Sequence, residues 1–509
     1  MKEIKEGFVI ETLEKHFGFS TFRTGQKEII KDILSGHDVL GILPTGTGKS
    51  LCYQLPSILF RGITIVVSPL ISLMIDQVKQ LKAKGFKRVA AINSMMNVEQ
   101  KKAIINNLNQ YKLIYVSPEM LQNSWIMKVL LTQHISLFVI DEAHCISQWG
   151  HEFRTDYLKL KAVISQLNNP PVLALSATAT PEVQQDIMHY LGRPKMLKRI
   201  YPMDRENIAF VIEHTANWTD KVDRIINLLK EKQVPTMIYF SSRMWCERIS
   251  TILGERLPNR NVSYYHGGMD SEDRLLIQQQ FMNNQLDIIC CTSAFGMGVD
   301  KPDVRLVIHF HMPTQLESYI QEVGRAGRDG KQSVGLVLYS NGDEQIPLTL
   351  IEQELPTDKQ IQDVFHFLSS TTIRELPQLE EAIFINLELN ETQWGFISHQ
   401  LERNNLIENG ILVNDHSKWR TGLETTLAYR NKRMRNKEEL FTQFLSWIHS
   451  TSCRREKLYE SFQNGFTKPE LLCCDHCHSV LSNWQTEGLP IKDATYNWNE
   501  KLKKIFQIG

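Results

Sequence analysis

The chain has 509 residues, 42% hydrophobic and 22% charged, a length for about three domains and a composition that excludes a disordered or fibrous protein. Its 57 basic residues balance 57 acidic ones, so net charge neither requires nor excludes a nucleic-acid partner and only local clusters bear on that question. There is no apolar run of about 18 residues, and acids stand near the start where a signal peptide needs an apolar stretch, so a cytoplasmic protein without membrane association is expected. The odd count of nine cysteines argues against a disulfide framework in a reducing compartment.

From about residue 36 to 338, short β-branched runs alternate with helical stretches, the pattern of parallel sheets built from βαβ units. Runs at 38–43, 64–68, 113–117, 137–140 and 172–176 predict one sheet, and runs at 236–240, 287–292, 306–310 and 335–339 a second. The aperiodic segment 199–205, with Tyr201-Pro202-Met203-Asp204, separates them, so 1–202 and 203–342 are expected as two domains. Past Ser340, helices are expected over 357–368, 374–385 and 390–404, the last with Trp394, Ile397 and Leu401 on one face. Residues 406–413, broken at Asn409-Gly410, read as a β-hairpin. Helices followed by a hairpin predict a winged-helix module over 343–415, with a purely structural helical insert as the alternative. A helical region over 416–480 follows, in which 430–437 carries five basic residues and no acid and an amphipathic helix is expected over 438–449. The tail 481–509 shows no motif.

Thr45, Gly46, Thr47, Gly48, Lys49 and Ser50 lie between a predicted strand and a predicted helix. Glycines let backbone amides close around phosphate oxygens, Lys49 can reach the β and γ phosphates of ATP, and Ser50 can ligate Mg2+. Downstream, an apolar strand ends in Asp141-Glu142. Asp141 can hold the metal and Glu142 can orient or deprotonate the attacking water. The segment 321–330 contributes Gln321, Arg325 and Arg328. If the two sheets face each other across the nucleotide, Arg328 acts as an arginine finger with Arg325 in support.

Segments 17–19, 22–26, 45–50, 67–74, 141–144, 176–178, 295–302 and 321–330 occur here in the order found in RecQ-type DNA helicases of superfamily two, which the first 340 or so residues closely resemble. The resemblance implies two tandem RecA-like parallel-sheet domains followed by a mainly helical C-terminal region. It also implies a DNA-dependent ATPase that unwinds duplexes with 3′ to 5′ polarity in repair and recombination. DNA, single-stranded and partly duplex, is the implied partner, with a single-strand-binding protein as a further one. By the same resemblance Phe19, Arg23 and Gln26 form an adenine-recognition segment, an aromatic face stacking the base and an amide offering a donor and an acceptor. His144, Ser176 and Thr178 resemble the groups that couple hydrolysis to movement between domains.

An aromatic and basic loop follows the acid pair, with Gln148, Trp149, Phe153 and Arg154 as candidate DNA contacts, because π faces accept any base and arginine adds charge. The alternative is that Trp149 and Phe153 are buried anchors. Ser68, His266 and Thr292, at or just past strand ends, are DNA contacts that rest mainly on the resemblance. Near the C-terminus Cys453, Cys473, Cys474 and Cys477 resemble the family's Zn2+ site, although Leu471 stands where a cysteine is expected. Adjacent Cys473 and Cys474 strain a chelate, so His476 or His478 could replace one, or the thiols could hold no metal. Two rival functions are an RNA helicase and a non-hydrolytic DNA-binding factor switched by ATP.

Overall fold

Every residue of the β2 run Ile63–Val67 is buried, as is every residue of the Val172–Ser176 run. Burial on both faces suits parallel strands whose crossover helices cover the sheet on each side. In this computed structural model, residues 6–147, 154–295, 301–373, 375–408, 410–463, 465, 466, 468, 469 and 472–486 are described. The first sheet consists of β1 (Val39–Ile42), β2 (Ile63–Val67), β3 (Val89–Ile92), β4 (Leu113–Val116), β5 (Ile135–Ile140), β6 (Val172–Ser176) and β7 (Leu197–Ile200). They run parallel in the order β3-β4-β2-β5-β6-β1-β7. The second comprises β8 (Ile208–His214), β9 (Thr236–Tyr239), β10 (Val262–Tyr265), β11 (Ile288–Cys291), β12 (Leu306–His309) and β13 (Ser333–Tyr339), parallel in the order β10-β11-β9-β12-β13-β8. These are two RecA-like domains followed by a mainly helical region.

Four strands were not expected from the sequence: β3, β7, β8 and β10. All four are sheet edges, each with one neighbouring strand, where a strand needs less continuous apolar character, although in β8 the first five residues are buried. In β7 the side chains alternate half-buried and exposed, with Lys198 and Arg199 among them, so the aperiodic segment begins with a strand of the first sheet.

In the C-terminal region, helices Asp358–Ser370 and Glu391–Arg403 start at capping boxes made by Thr357 with Gln360 and Asn390 with Gln393. The helix expected over 374–385 is split. Pro377 sits in a 3-10 turn, Leu376–Gln378, ahead of the helix Glu380–Asn386, and Glu375 bridges Ile411 in antiparallel fashion. That bridge adds a short strand to the hairpin β14 (Ile407–Glu408) and β15 (Ile411–Leu412). The resulting order is helix, strand, helix, helix and two-stranded hairpin. Asn409 of the hairpin turn lies outside the described residues.

The separate helix expected over 438–449 is instead the end of one 33-residue helix, His416–Ile448, which also contains the basic run. Several of those bases are engaged within the chain. Arg430 donates to the Pro356 carbonyl at 3.0 Å and lies 3.6 Å from Asp358, and Lys437 meets Glu354 at 2.6 Å. No helix among the described residues is long and apolar enough to cross a membrane.

Helix Leu316–Val323 lies close on β13 because Gly335 has no side chain. A Cβ there would stand 2.3 Å from Val323 Cγ2 and 3.1 Å from Tyr319 Oη. Gly335→Ala is therefore expected to lose about 1–3 kcal/mol of stability through overpacking, read as a lower denaturation midpoint. An unchanged midpoint would mean that the helix shifts freely on the sheet.

Candidate active site between the two sheets

The phosphate-binding loop leaves β1, its path set by a hydrogen bond from Leu43 N to the Ser176 carbonyl at 3.1 Å. Gly46 (φ 80°) and Gly48 (φ 75°) take left-handed backbone that other residues adopt only with strain, and helix Leu51–Leu59 starts directly after Ser50. Arg23 Nη1 donates to the Gly46 carbonyl at 2.6 Å. Gln26 Nε2 donates to the Thr47 and Gly48 carbonyls at 2.7 and 3.1 Å, and its Oε1 accepts from Arg23 N at 3.0 Å. The Nε2 end of the Gln26 amide thus holds the loop in this conformation, while the Oε1 end is taken by the backbone of its own segment, so the amide the sequence offered to the base is engaged within the chain. Beside it Phe19, 47% exposed, lines a cleft of about 380 Å³ together with Arg23, Gln26, Ser50 and Gln54.

The acid pair stands at the end of β5. Burial first, then the neighbouring Glu142, pushes the Asp141 carboxyl up to about 7, and Lys49 opposes the rise. Two crowded acids facing a lysine are suited to a divalent cation and a polyphosphate, which supply the missing positive charge and its ligand. Glu142 has φ 49°, a left-handed conformation that an ordinary side chain adopts at a cost of about 1–3 kcal/mol and that is often found at functional positions. His144, fully buried, lies 2.9 Å from Ser176 Oγ through Nδ1 and 3.5 Å from Glu142. Ser176 Oγ in turn donates to the Thr178 carbonyl at 3.0 Å. A polar chain therefore runs from the acid pair to the end of β6.

The second sheet supplies the turn after helix Leu316–Val323. Thr45 Oγ1 donates to the Gly324 carbonyl at 3.0 Å. A Cβ placed on Gly46 would lie 3.0 Å from Arg328 Cγ, so Arg328 stands over the phosphate-binding loop. Gln321 and Arg325 are buried beneath the turn, where Arg325 hydrogen-bonds Tyr239, and the adjacent Glu322 meets His309 Nε2 at 2.8 Å. A second bridge between the sheets joins Gln278 Nε2 to Asp76 at 2.5 Å.

Of the expected DNA contacts, Gln148, Trp149 and Phe153 lie outside the described residues. Arg154 follows them, its N donating to the Cys145 carbonyl at 3.0 Å, and it lines a groove against helix Glu391–Arg403 with Phe396 and His399. Ser68 is 1% exposed. His266 is buried and braces its own loop, with Nε2 2.7 Å from Glu247 and Nδ1 accepting from Gly268 N at 3.2 Å. Thr292, half-buried at the end of β11, is the most accessible of the three strand-end residues.

The sulfurs of Cys453, Cys473, Cys474 and Cys477 all lie within 4.8 Å of one another, and Cys453 Sγ is 3.6 Å from Cys473 Sγ and 3.9 Å from Cys474 Sγ. Zinc–sulfur bonds of about 2.3 Å put tetrahedral sulfurs roughly 3.8 Å apart. The adjacent cysteines therefore fit one tetrahedron, against the strain expected from the sequence. His478 uses Nδ1 to accept from Cys473 N at 3.4 Å and is not among the residues whose ligand atoms cluster. The cluster docks on the open edge of β8, with Phe210 N donating to the Cys473 carbonyl at 3.2 Å and Asp475 N to the Phe210 carbonyl at 3.0 Å.

Sequence reasoning missed Arg205, Asn207, Asp76 and Gln278. A lone polar residue in a linker or on a helix carries no spacing signal: Arg205 and Asn207 acquire roles only when the second domain folds its turn onto the linker, and Asp76 and Gln278 only when the sheets come together.

Two parallel sheets closed on a phosphate-binding loop, with an arginine turn from one laid over the other, define a two-domain helicase-class ATPase. The chain matches the DEAD/DEAH box helicase family over residues 23–187 and the helicase conserved C-terminal domain over 220–330. It is 42% identical over 501 residues to the probable ATP-dependent DNA helicase RecS of Bacillus subtilis (strain 168), with 98% of each chain covered. It is 39% identical over 385 residues to the ATP-dependent DNA helicase RecQ of Haemophilus influenzae, covering 74% of this chain and 61% of that protein. The chain belongs to the RecQ-type ATP-dependent DNA helicases. In fold it resembles the Mycobacterium smegmatis helicase Lhr bound to ssDNA and AMP-PNP (TM-score 0.57, 20% identity, 82% of this chain and 61% of that one). It also resembles the DEAD-box helicase Mss116 bound to ssRNA and UDP-BeF (TM-score 0.59, 17% identity, 90% of each).

Gly324→Ala would set a Cβ 2.1 Å from Thr45 Oγ1 and push the arginine turn off the phosphate-binding loop. Hydrolysis should fall by roughly 10–10²-fold in kcat, the scale of a misplaced catalytic group, while a fluorescent ATP analogue still binds. A variant with wild-type kcat would show that the contact between the sheets is dispensable.

Proposed function

We propose that this chain uses ATP hydrolysis to move 3′ to 5′ along single-stranded DNA and to open the duplex ahead of it, in the cytoplasm, as part of DNA repair and recombination. The observation that carries this reading is the hydrogen bond from Thr45 Oγ1 to the Gly324 carbonyl at 3.0 Å. It joins the loop that binds phosphate to the turn that carries Arg328. Hydrolysis then requires both sheets, and the strand-end loops that would grip DNA belong to the same two sheets.

In this mechanism Lys49 and the amides of the loop bind the phosphates, and Phe19 and Arg23 flank the base. Ser50 and Asp141 would hold Mg2+, which when bound neutralises phosphate charge. Glu142 takes the proton of the attacking water, and Arg328 offsets the charge that develops on the γ-phosphate. The chain from His144 through Ser176 to Thr178 senses the change beside the acid pair. Trp149 and Phe153 report strand contact to the acids they follow in sequence. The four-cysteine cluster would hold a structural Zn2+, tying the C-terminal region to the edge of the second sheet.

The test uses partial duplexes with a 3′ or a 5′ single-stranded tail, in DNA and in RNA, at matched salt. ATP-dependent unwinding of the 3′-tailed DNA alone is expected. Unwinding of the 5′-tailed form would overturn the polarity, and equal activity on RNA would overturn the substrate.

A further inference from the structure

The linker between β7 and β8 makes a dense set of contacts with the arginine turn, and none of its residues has a role in the reading above. Arg205 Nη1 donates to the carbonyls of Gly324 and Ala326, each at 2.8 Å, and Nη2 donates to the carbonyl of Gly327. Asn207 Nδ2 adds bonds to the Gly327 and Lys331 carbonyls, both at 2.8 Å. One guanidinium fork therefore gathers three carbonyls of the turn that leads to Arg328. Among the described residues Arg205 forms no ion pair with a carboxylate, so what orients it is the turn itself.

The surroundings are crowded with like charge. Arg23 binds the Gly46 carbonyl, and a Cβ on Gly46 would lie 3.0 Å from Arg328 Cγ and 3.6 Å from Arg205 Nη1. Burial, and then the neighbouring Arg328, pushes the Arg205 guanidinium down to about 10, so it stays charged at neutral pH. Three cations converging on a phosphate-binding loop repel one another until a polyanion arrives. Something must hold them in place beforehand, and the carbonyls of the turn do so for Arg205.

The linker is itself clamped from the other side. Arg455, fully buried and two residues after Cys453, donates to the Asp204 carboxylate and the Ile208 carbonyl, and at 3.2 Å to the Arg205 carbonyl. Its guanidinium carbon also sits 4.9 Å from the centroid of the Phe210 ring.

We propose that Arg205 is a positioning residue for ATP hydrolysis: its fork fixes the turn at Gly324, Ala326 and Gly327 so that Arg328 stands over the phosphate-binding loop, while Arg455 beside the cysteine cluster holds the Arg205 backbone. This inference rests on the reading of Arg328 as the arginine finger. It assigns the linker and the cysteine region a part in hydrolysis that does not depend on touching nucleotide or DNA.

The experiment measures kcat and KM for ATP with saturating single-stranded DNA, and the thermal midpoint, in the full chain carrying Arg205→Ala, Arg205→Lys, Arg328→Ala and the Arg205→Ala/Arg328→Ala pair. Arg205→Ala should lower kcat by roughly 10²-fold, as expected for a displaced catalytic group, with KM within about twofold of wild type. Arg205→Lys keeps the charge but not the fork and should give an intermediate kcat at an unchanged midpoint. The double variant should be no slower than Arg328→Ala alone, since both act through one group. Multiplying losses in the double variant, or a loss confined to KM, would overturn the proposal by making Arg205 an independent phosphate ligand. If Arg205→Ala fails to fold, Arg205→Lys decides, and a wild-type kcat there overturns the proposal. A wild-type rate in Arg328→Ala would sink the arginine-finger reading itself. A slow Arg328→Ala beside unimpaired Arg205 variants would sink only the inference drawn from it.

Discussion

In the proposed mechanism hydrolysis depends on a place where neither sheet is sufficient alone: the turn at Gly324 lies against Thr45, and Arg328 leans over Gly46. The first sheet has the phosphate-binding loop, the acid pair and the lysine, but Arg328 comes from the second sheet. A stabilising cation supplied by a separate body makes turnover sensitive to the angle between the bodies. Under that proposal, whatever changes the angle changes the rate. Small residues make the approach possible, because a side chain at Gly46 or Gly324 would occupy the space the other partner fills.

Around this contact the C-terminal third serves as a frame. The cysteine cluster completes the open edge of β8, and Arg454, next to it, ties the end of the long helix through the Trp447 and Ile448 carbonyls at 3.0 and 2.8 Å. Helix Glu391–Arg403 lies against the first sheet domain rather than standing free. Glu402 is 3.6 Å from Lys159, just past the short helix Thr155–Leu158 that follows Arg154. The basic run is partly absorbed into this frame, since Arg430 meets Asp358 at the start of helix Asp358–Ser370 and Lys437 meets Glu354 just before it.

What was legible in the sequence is what local chemistry dictates. A glycine-rich turn between a strand and a helix, an apolar strand ending in two acids, and a row of β-branched runs each carry their meaning within a few residues. The edge strands β3, β7 and β10 were not legible, because an edge needs burial on fewer sides and tolerates lysine, arginine and serine. Nor was Arg205, an isolated arginine in an aperiodic linker whose three acceptors lie about 120 residues away in the chain. The adjacency of Cys473 and Cys474 looked unfavourable for one chelate, yet the bend of the chain at β8 brings both sulfurs to Cys453. The 33-residue helix was divided in the sequence reading because its charged middle has no apolar stripe of its own.

The closure of the two sheets is tested most directly by energy transfer between fluorophores placed at exposed Lys102 in the first sheet domain and Glu255 in the second. Efficiency is measured in the full chain alone, with a non-hydrolysable ATP analogue, with single-stranded DNA, and with both. If the arginine turn must meet the phosphate-binding loop for hydrolysis, the distribution of efficiencies with both ligands should narrow to one population, distinct from the broader one of the free protein. The same distribution under all four conditions, in a protein whose ATP hydrolysis is still stimulated by DNA, would contradict the dependence of turnover on that contact.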